Sequence, residues 1–355
     1  MLSSERKVIS TESQLSTLNI KANQLKKWHI VLNHWKHIIE LEIDEYRHLA
    51  AQDLINPFLY GNPLRRDRAA LFKGRQEFAD EIVRILLDRN RPTILLHGPR
   101  RCGKTSLLYN LPRLLPSNWI PVFIDLQSAA VTTDEAAFCQ GLVRAIIRAC
   151  SDRKLLMPDG PSRKEFQNAP LIVFEDWIEK ALLGIDGRQL LLTLDEFEKI
   201  GEAINSGKLS LQIFDELRSL IQHWEPLGFI FSGVQTLDEI GPNWSRYFIS
   251  DVHVEILYLE PTEARLLLTE PDPDFSLHYK PGVVDSILTL TNCHPYLLQL
   301  LGSAIVTEAN ERQTHVATQE ILEAAILRAF TLGEPYFKNV WTEFTGNPRN
   351  GSEVK

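Results

Sequence analysis

The chain has 355 residues, 44% hydrophobic and 24% charged, with a formal net charge of −8. That is the composition of a folded globular protein large enough for two domains, or for one domain with a lid. The acid excess counts against general nucleic-acid binding, and no apolar run approaches the roughly 18 residues of a membrane span. The N-terminus lacks the apolar core of a signal peptide. Cys102, Cys139, Cys150 and Cys293 are too scattered for a disulfide framework or a zinc site, which fits a reducing cytoplasm.

Residues 1–16 are polar and serine-rich and predict a frayed start. From Leu18 the apolar residues recur on a 3-4 rhythm: Leu18, Leu25, Trp28, Leu32, Trp35, Ile39, Tyr46 and Leu49, with Lys21 and Glu42 at two further seam positions. The spacing predicts a helix over 18–49 with a coiled-coil-like seam. Such a helix either packs on its own chain or associates with a second copy or a protein partner. Trp28 and Trp35 are too large to leave in water without cost. Asn56-Pro57 ends the helix, because a residue before proline leaves the α region.

An extended approach, Gly61-Asn62-Pro63-Leu64, precedes Phe72-Lys73-Gly74-Arg75 and a helix over 77–87. From Tyr60 to Lys104 there are eleven Arg or Lys against five Asp or Glu, as expected around a polyphosphate. Arg91-Pro92 opens the first strand, and at its end stands Gly98-Pro99-Arg100-Arg101-Cys102-Gly103-Lys104-Thr105-Ser106. This is the Walker A pattern, Gly-x-x-x-x-Gly-Lys-Thr, between a strand and a helix. Its glycines let successive N–H groups point into one concavity at the positive end of the helix, which cradles phosphate oxygens. Lys104 would reach the β- and γ-phosphates of ATP, and the Thr105 hydroxyl would ligate Mg²⁺.

The helix after the loop runs to about Leu114. A strand over 119–126, a helix over 135–150, a loop over 151–170 and a helix over 171–183 follow. The run 189–194 is continuously apolar and ends in Asp195-Glu196, as a buried parallel strand does when it delivers carboxylates to the sheet's carboxyl edge. Read as a Walker B pattern, Asp195 would hold Mg²⁺ and Glu196 would orient the attacking water. A helix over 209–224 and strands over 228–233 and 252–259 complete the alternation. It predicts an α/β fold, a P-loop doubly wound parallel sheet with right-handed crossovers. After Pro261 the strands are expected to stop. Helices over 262–268, 283–290, 295–307 and 318–330 predict a C-terminal helical lid domain. The domains expected are 1–55, an N-terminal helix; 56–260, the ATPase core; 261–330, the lid; and 331–355, a linker and polar tail.

Taken together, Gly61-Asn62-Pro63, Phe72-Lys73-Gly74-Arg75, the Walker A segment and Thr291-Asn292-Cys293-His294-Pro295-Tyr296-Leu297-Leu298-Gln299 resemble the bacterial and archaeal STAND-type ATPases. These are the signal-transducing relatives of the AAA+ proteins. The resemblance covers residues 56–341. It implies a switch that is closed with ADP and assembles with ATP, and it implies that Arg75, His294 and Pro295 lie near the adenine and ribose. The segment 334–341 resembles the linker that leads into a winged-helix domain in that family. Only 14 residues follow it here, so a sensor is expected in another polypeptide, or the chain is a fragment or a reduced member. Ser232-Gly233-Val234-Gln235 supplies no arginine at the end of the fourth strand, and Arg246 is the nearest downstream candidate to sense the γ-phosphate.

The function expected is an ATP-binding, slowly hydrolysing switch that works by assembly with itself or a partner. The alternative is an AAA+-like ATPase loading onto nucleic acid, against which the absence of a recognisable winged helix or basic recognition helix counts.

Overall fold

The computed structural model describes residues 22–50, 53–88, 92–128, 130–235, 244 and 251–345. The described chain falls into two compact units. One comprises residues 57–273 and 284–302 and holds a five-stranded parallel sheet. Its strands are β1 (Thr93–His97), β2 (Trp119–Asp125), β3 (Gln189–Asp195), β4 (Leu227–Gly233) and β5 (Asp251–Glu255), in the order β2-β3-β4-β1-β5. Every residue of β4, and all but the first of β3, is buried. That is why these strands read as continuous apolar runs: helices cover both faces of a parallel sheet.

Between the strands run α2 (Gln76–Leu86), α3 (Lys104–Leu114), α4 (Glu135–Ser151), a short α5 (Arg163–Phe166), α6 (Pro170–Leu183), α7 (Glu198–Asn205) and α8 (Gln212–His223). One core unites α4, α6 and α8 with the strands through Phe138, Phe174, Phe214 and Leu192. The other sets α2 and α3 against Ile94, Leu96 and Ile230. Each fully buried side chain of this size contributes roughly 2 kcal/mol. Trp244 is buried in the first core, edge-on to Phe197 at 4.8 Å and Phe214 at 4.6 Å.

The bounds of the individual helices and strands hold to within a few residues, with local exceptions, among them a helix Glu334–Thr345 inside the expected linker and tail. The expected loop over 151–170 contains α5, started by a capping box in which Ser162 and Glu165 satisfy each other's backbone. Helix α7 follows β3 almost at once, where sequence periodicity over eight residues is too short to register. Strand β5 ends at Glu255, short of the expected 259.

The second unit comprises residues 274–283 and 303–345 with the described part of 1–56. It holds α1 (Ala22–Ala50), where a helix over 18–49 was expected; residues 1–21, including the frayed start, lie outside the described residues. Asn310 clamps Leu54 by accepting from its N–H at 2.8 Å and donating to its carbonyl at 3.0 Å. Helices beyond the sheet are α9 (Pro261–Thr269), α10 (Val283–Thr291), α11 (Pro295–Glu311), α12 (Gln319–Leu332) and α13 (Glu334–Thr345). Strands do not stop at residue 261. β6 (His278–Tyr279) pairs in parallel with β7 (Val316–Ala317), pinned by His278 N–H to the His315 carbonyl at 2.8 Å. Two-residue strands carry no alternation that sequence reading can detect. Among the described residues no helix is long and apolar enough to cross a membrane.

Candidate functional site

β1 lies between β4 and β5, and its carboxyl end opens into the loop 98–103. Two glycines make that loop possible. Gly98 has φ +148, and a Cβ there would sit 2.1 Å from the Ile256 carbonyl. Gly103 has φ +99 at the start of α3, a left-handed conformation that costs glycine little. Arg101 also takes a positive φ of 62.

Lys104 is buried, and its ammonium donates to the Gly98 carbonyl at 2.6 Å and the Pro99 carbonyl at 2.9 Å. Burial lowers its pKa, opposed by Cys102, Glu196, Asp195 and Glu198. The Thr105 hydroxyl donates to Asp195 Oδ2 at 2.6 Å, and Ser232 donates to Oδ1 at 2.6 Å. Burial raises the Asp195 pKa, partly offset by those two bonds. Walker A and Walker B residues thus meet at the carboxyl edge of β3, β4 and β1. Glu196, next in the chain, has φ +56, an uncommon conformation for a side-chain-bearing residue and one that marks functional turns.

Glu198 belongs to this cluster, although the Walker B pattern alone does not mark it. Its Oε1 accepts from the Val234 N–H at 2.5 Å and the Gln235 N–H at 3.1 Å, fixing the chain as it leaves β4. Its Oε2 is buried without a hydrogen-bond partner among the described residues. The signal was the third acid of Asp195-Glu196-Phe197-Glu198, three residues after the first.

Other expected site residues brace the loop. Arg75 is buried, donating to the Cys102 carbonyl at 2.8 Å and the Leu257 carbonyl at 2.9 Å, and burial lowers its pKa to about 10. Cys102 is fully buried, and desolvation raises its thiol pKa. The Ser106 hydroxyl accepts from the Leu64 N–H at 3.0 Å, and Asn110 bonds both the Leu64 and Ser106 carbonyls, so the Gly61-Asn62-Pro63-Leu64 approach is tied to α3. Arg246 lies outside the described residues.

His294 reaches this site from 190 residues beyond the loop. Asn292 and Cys293 both have positive φ, reversing the chain out of α10, and Pro295 opens α11 as its first residue. His294 is buried, accepts from the Tyr296 N–H through Nδ1 at 3.2 Å, and hydrogen-bonds the Arg100 backbone. Its ring lies 4.9 Å from that of Tyr258. Desolvation lowers its pKa to about 4. Beside it, the Arg101 guanidinium stands 4.4 Å from the Tyr296 ring centroid, a cation–π contact. The turn before α11 and the first turn of α11 therefore contact two successive residues of the loop, Arg100 and Arg101.

Fold and site together place a glycine-bounded loop of the phosphate-binding pattern and an acid-tipped strand at the carboxyl edge of one parallel α/β sheet. Residues 87–240 match the family model described as AAA domain. Among solved structures, the chain resembles a Walker-type ATPase of Pyrococcus abyssi at 15% identity, with a TM-score of 0.57 over 80% of this chain and 78% of that one. It also resembles the Aeropyrum pernix ORC2 protein at 14% identity, TM-score 0.49, over 78% and 72%, and the Thermotoga maritima RuvB Holliday junction branch migration motor at 14% identity, TM-score 0.43, over 76% and 72%. No curated protein sequence matches the chain.

Proposed function

We propose that this chain is an ATP-binding, slowly ATP-hydrolysing switch of the STAND kind, which signals by nucleotide-dependent assembly with itself or a partner. The observation that carries it is the double contact of the 292–296 turn with the phosphate loop, His294 on the Arg100 backbone and Tyr296 under Arg101. A phosphate bound in the loop rearranges Arg100 and Arg101, and the turn leading into α11 responds to it. In this reading Lys104 leaves its own loop carbonyls for the β- and γ-phosphates, while the backbone from Gly98 to Ser106 cradles them. The hydroxyl of Thr105 and the carboxylate of Asp195 form an all-oxygen pair suited to Mg²⁺, which would supply charge neutralisation between the phosphates. Glu196 orients the attacking water, Arg246 senses the γ-phosphate, and Arg75, His294 and Pro295 flank the base and ribose through the elements they hold in place.

The test is particle mass measured by light scattering with ADP and with a non-hydrolysable ATP analogue. A larger particle with the analogue is expected. Equal mass in both nucleotides, with and without candidate partners, removes the switch and leaves a P-loop ATPase.

A further inference from the structure

Strand β2 is an edge strand, paired with β3 on one side and with no other strand among the described residues. Its alternate residues pack on α4 through Val122 and Phe138, and on α3 through Trp119 and Leu111. Between the two helices the free edge opens into a cleft of about 820 Å³. Helix α4 leaves that space unfilled, because the residues it turns to the cleft at four-residue intervals are Ala137, Gly141, Ala145 and Ala149. The half-buried rings of Tyr109 on α3 and Phe123 on β2, with centroids 4.2 Å apart, form one wall.

Arginines gather where β2 begins. Arg66, from the 3₁₀ turn Arg66–Leu71, and Arg148, near the end of α4, line the cleft. The Arg153 guanidinium donates to the Trp119 carbonyl, and Trp119 stands opposite Gln189 in the β2–β3 ladder. Arg188, the residue before Gln189, has its Nη1 buried with no hydrogen-bond partner among the described residues. Burial lowers the Arg153 pKa, and the charges of Arg66 and Arg188 lower it further. Asp67 and Asp152 also line the cleft, yet among the described residues no carboxylate forms an ion pair with Arg66, Arg148, Arg153 or Arg188. Like charges crowded without a counter-charge are costly, and a bound anion removes that cost.

We propose that this cleft binds a small organic phosphate with a flat ring, of the size of a nucleoside monophosphate. Arg66, Arg148 and Arg153 hold the phosphate, and Tyr109 and Phe123 take the ring. Guanidinium forks match phosphate oxygens two at a time, which a carboxylate-free arginine cluster leaves open to them. The volume lies within the roughly 300–1,000 Å³ of small-molecule sites, whose walls are likewise apolar and aromatic with a few charged groups. Asp125 lines the far end and repels the anionic group from it, which orients the ligand. No residue of the loop 98–103 lines the cleft, so it is separate from the phosphate loop.

Equilibrium dialysis on the full chain tests this, with AMP as the probe after saturation with Mg²⁺ and ADP to fill the phosphate loop. One AMP per chain is expected to bind, at least about tenfold tighter than inorganic phosphate, because the ring adds stacking on aromatic side chains. Arg66→Glu with Arg148→Glu changes two exposed side chains. It should weaken AMP by at least about tenfold and leave ADP affinity within about threefold of the wild type. Lys104→Ala should lose ADP and retain AMP. No AMP bound beside ADP, AMP unchanged in the arginine variant, or AMP lost together with ADP in Lys104→Ala overturns the proposal. Inorganic phosphate binding as tightly as AMP overturns the ring-bearing ligand. A chain that binds AMP through these arginines and fails to bind ADP sinks only the phosphate-loop reading.

Discussion

Thr105 and Asp195, 90 residues apart, are joined by a 2.6 Å hydrogen bond from hydroxyl to carboxylate. Thr105 lies in the first turn of α3, the helix that follows β1, and Asp195 ends β3; β4 lies between β1 and β3, and its Ser232 takes the other oxygen of the same carboxylate. Two strands and the first turn of a helix therefore converge on one buried acid. A buried carboxylate is costly without such donors, so the two hydroxyls account for Asp195 standing ionisable at this depth, where the proposed function would seat Mg²⁺.

Lys104→Ala should lose nucleotide binding by at least about a hundredfold, the cost of removing charge-assisted bonds to phosphate. The fold should survive, because the bonds lost in the structure are those to the carbonyls of Gly98 and Pro99. Titration calorimetry with ADP measures it. Equal affinity in mutant and wild type removes the P-loop assignment.

Glu196→Gln should bind ATP within a few-fold of the wild type and turn it over roughly 10²-fold more slowly or worse, since a general base or water-orienting group contributes on that scale. Single-turnover hydrolysis is the measurement. Wild-type turnover would show that another residue positions the water.

Glu198→Ala should lower the melting temperature by roughly 5 °C, because the N–H groups of Val234 and Gln235 lose their acceptor. Glu198→Gln keeps a carbonyl oxygen there and should lose less. Turnover should fall with little change in KM, as expected of a residue that positions the end of β4 without touching substrate. Equal melting temperatures in the two variants would show that the acceptor does not hold that segment.

His294 gives the site a pH dependence with a definite sign. Its folded pKa, about 4, lies below the ordinary 6.5, so the folded state keeps the ring neutral while the unfolded chain takes up the proton. The stabilisation is complete above pH 6.5 and is lost as pH falls toward 4, by up to about 3 kcal/mol. Denaturant midpoints between pH 7 and pH 4.5 in wild type and His294→Gln should converge toward low pH. Parallel curves would place the histidine in water.

The phosphate loop, the acid pair at the end of β3 and the order of helices and strands were legible in the sequence, because each is a local pattern. Glycines where a tight turn needs them form one such pattern, and an apolar run with a charge at its end forms another, each contained within about a dozen residues. The N-terminal helix was legible for the same reason, since its 3-4 rhythm is a property of the helix itself. Only the tertiary structure decided which groups that rhythm and those motifs would meet. Arg75 turned out to brace the Cys102 and Leu257 carbonyls, and Ser106 to hold Leu64. Glu198 was assigned to the backbone of Val234 and Gln235. Backbone carbonyls and N–H groups are present at nearly every residue and so leave no mark in a sequence. His294 needed the fold most: the two left-handed residues before it and the sheet's strand order bring it to Arg100, and neither is written in the local pattern around Pro295.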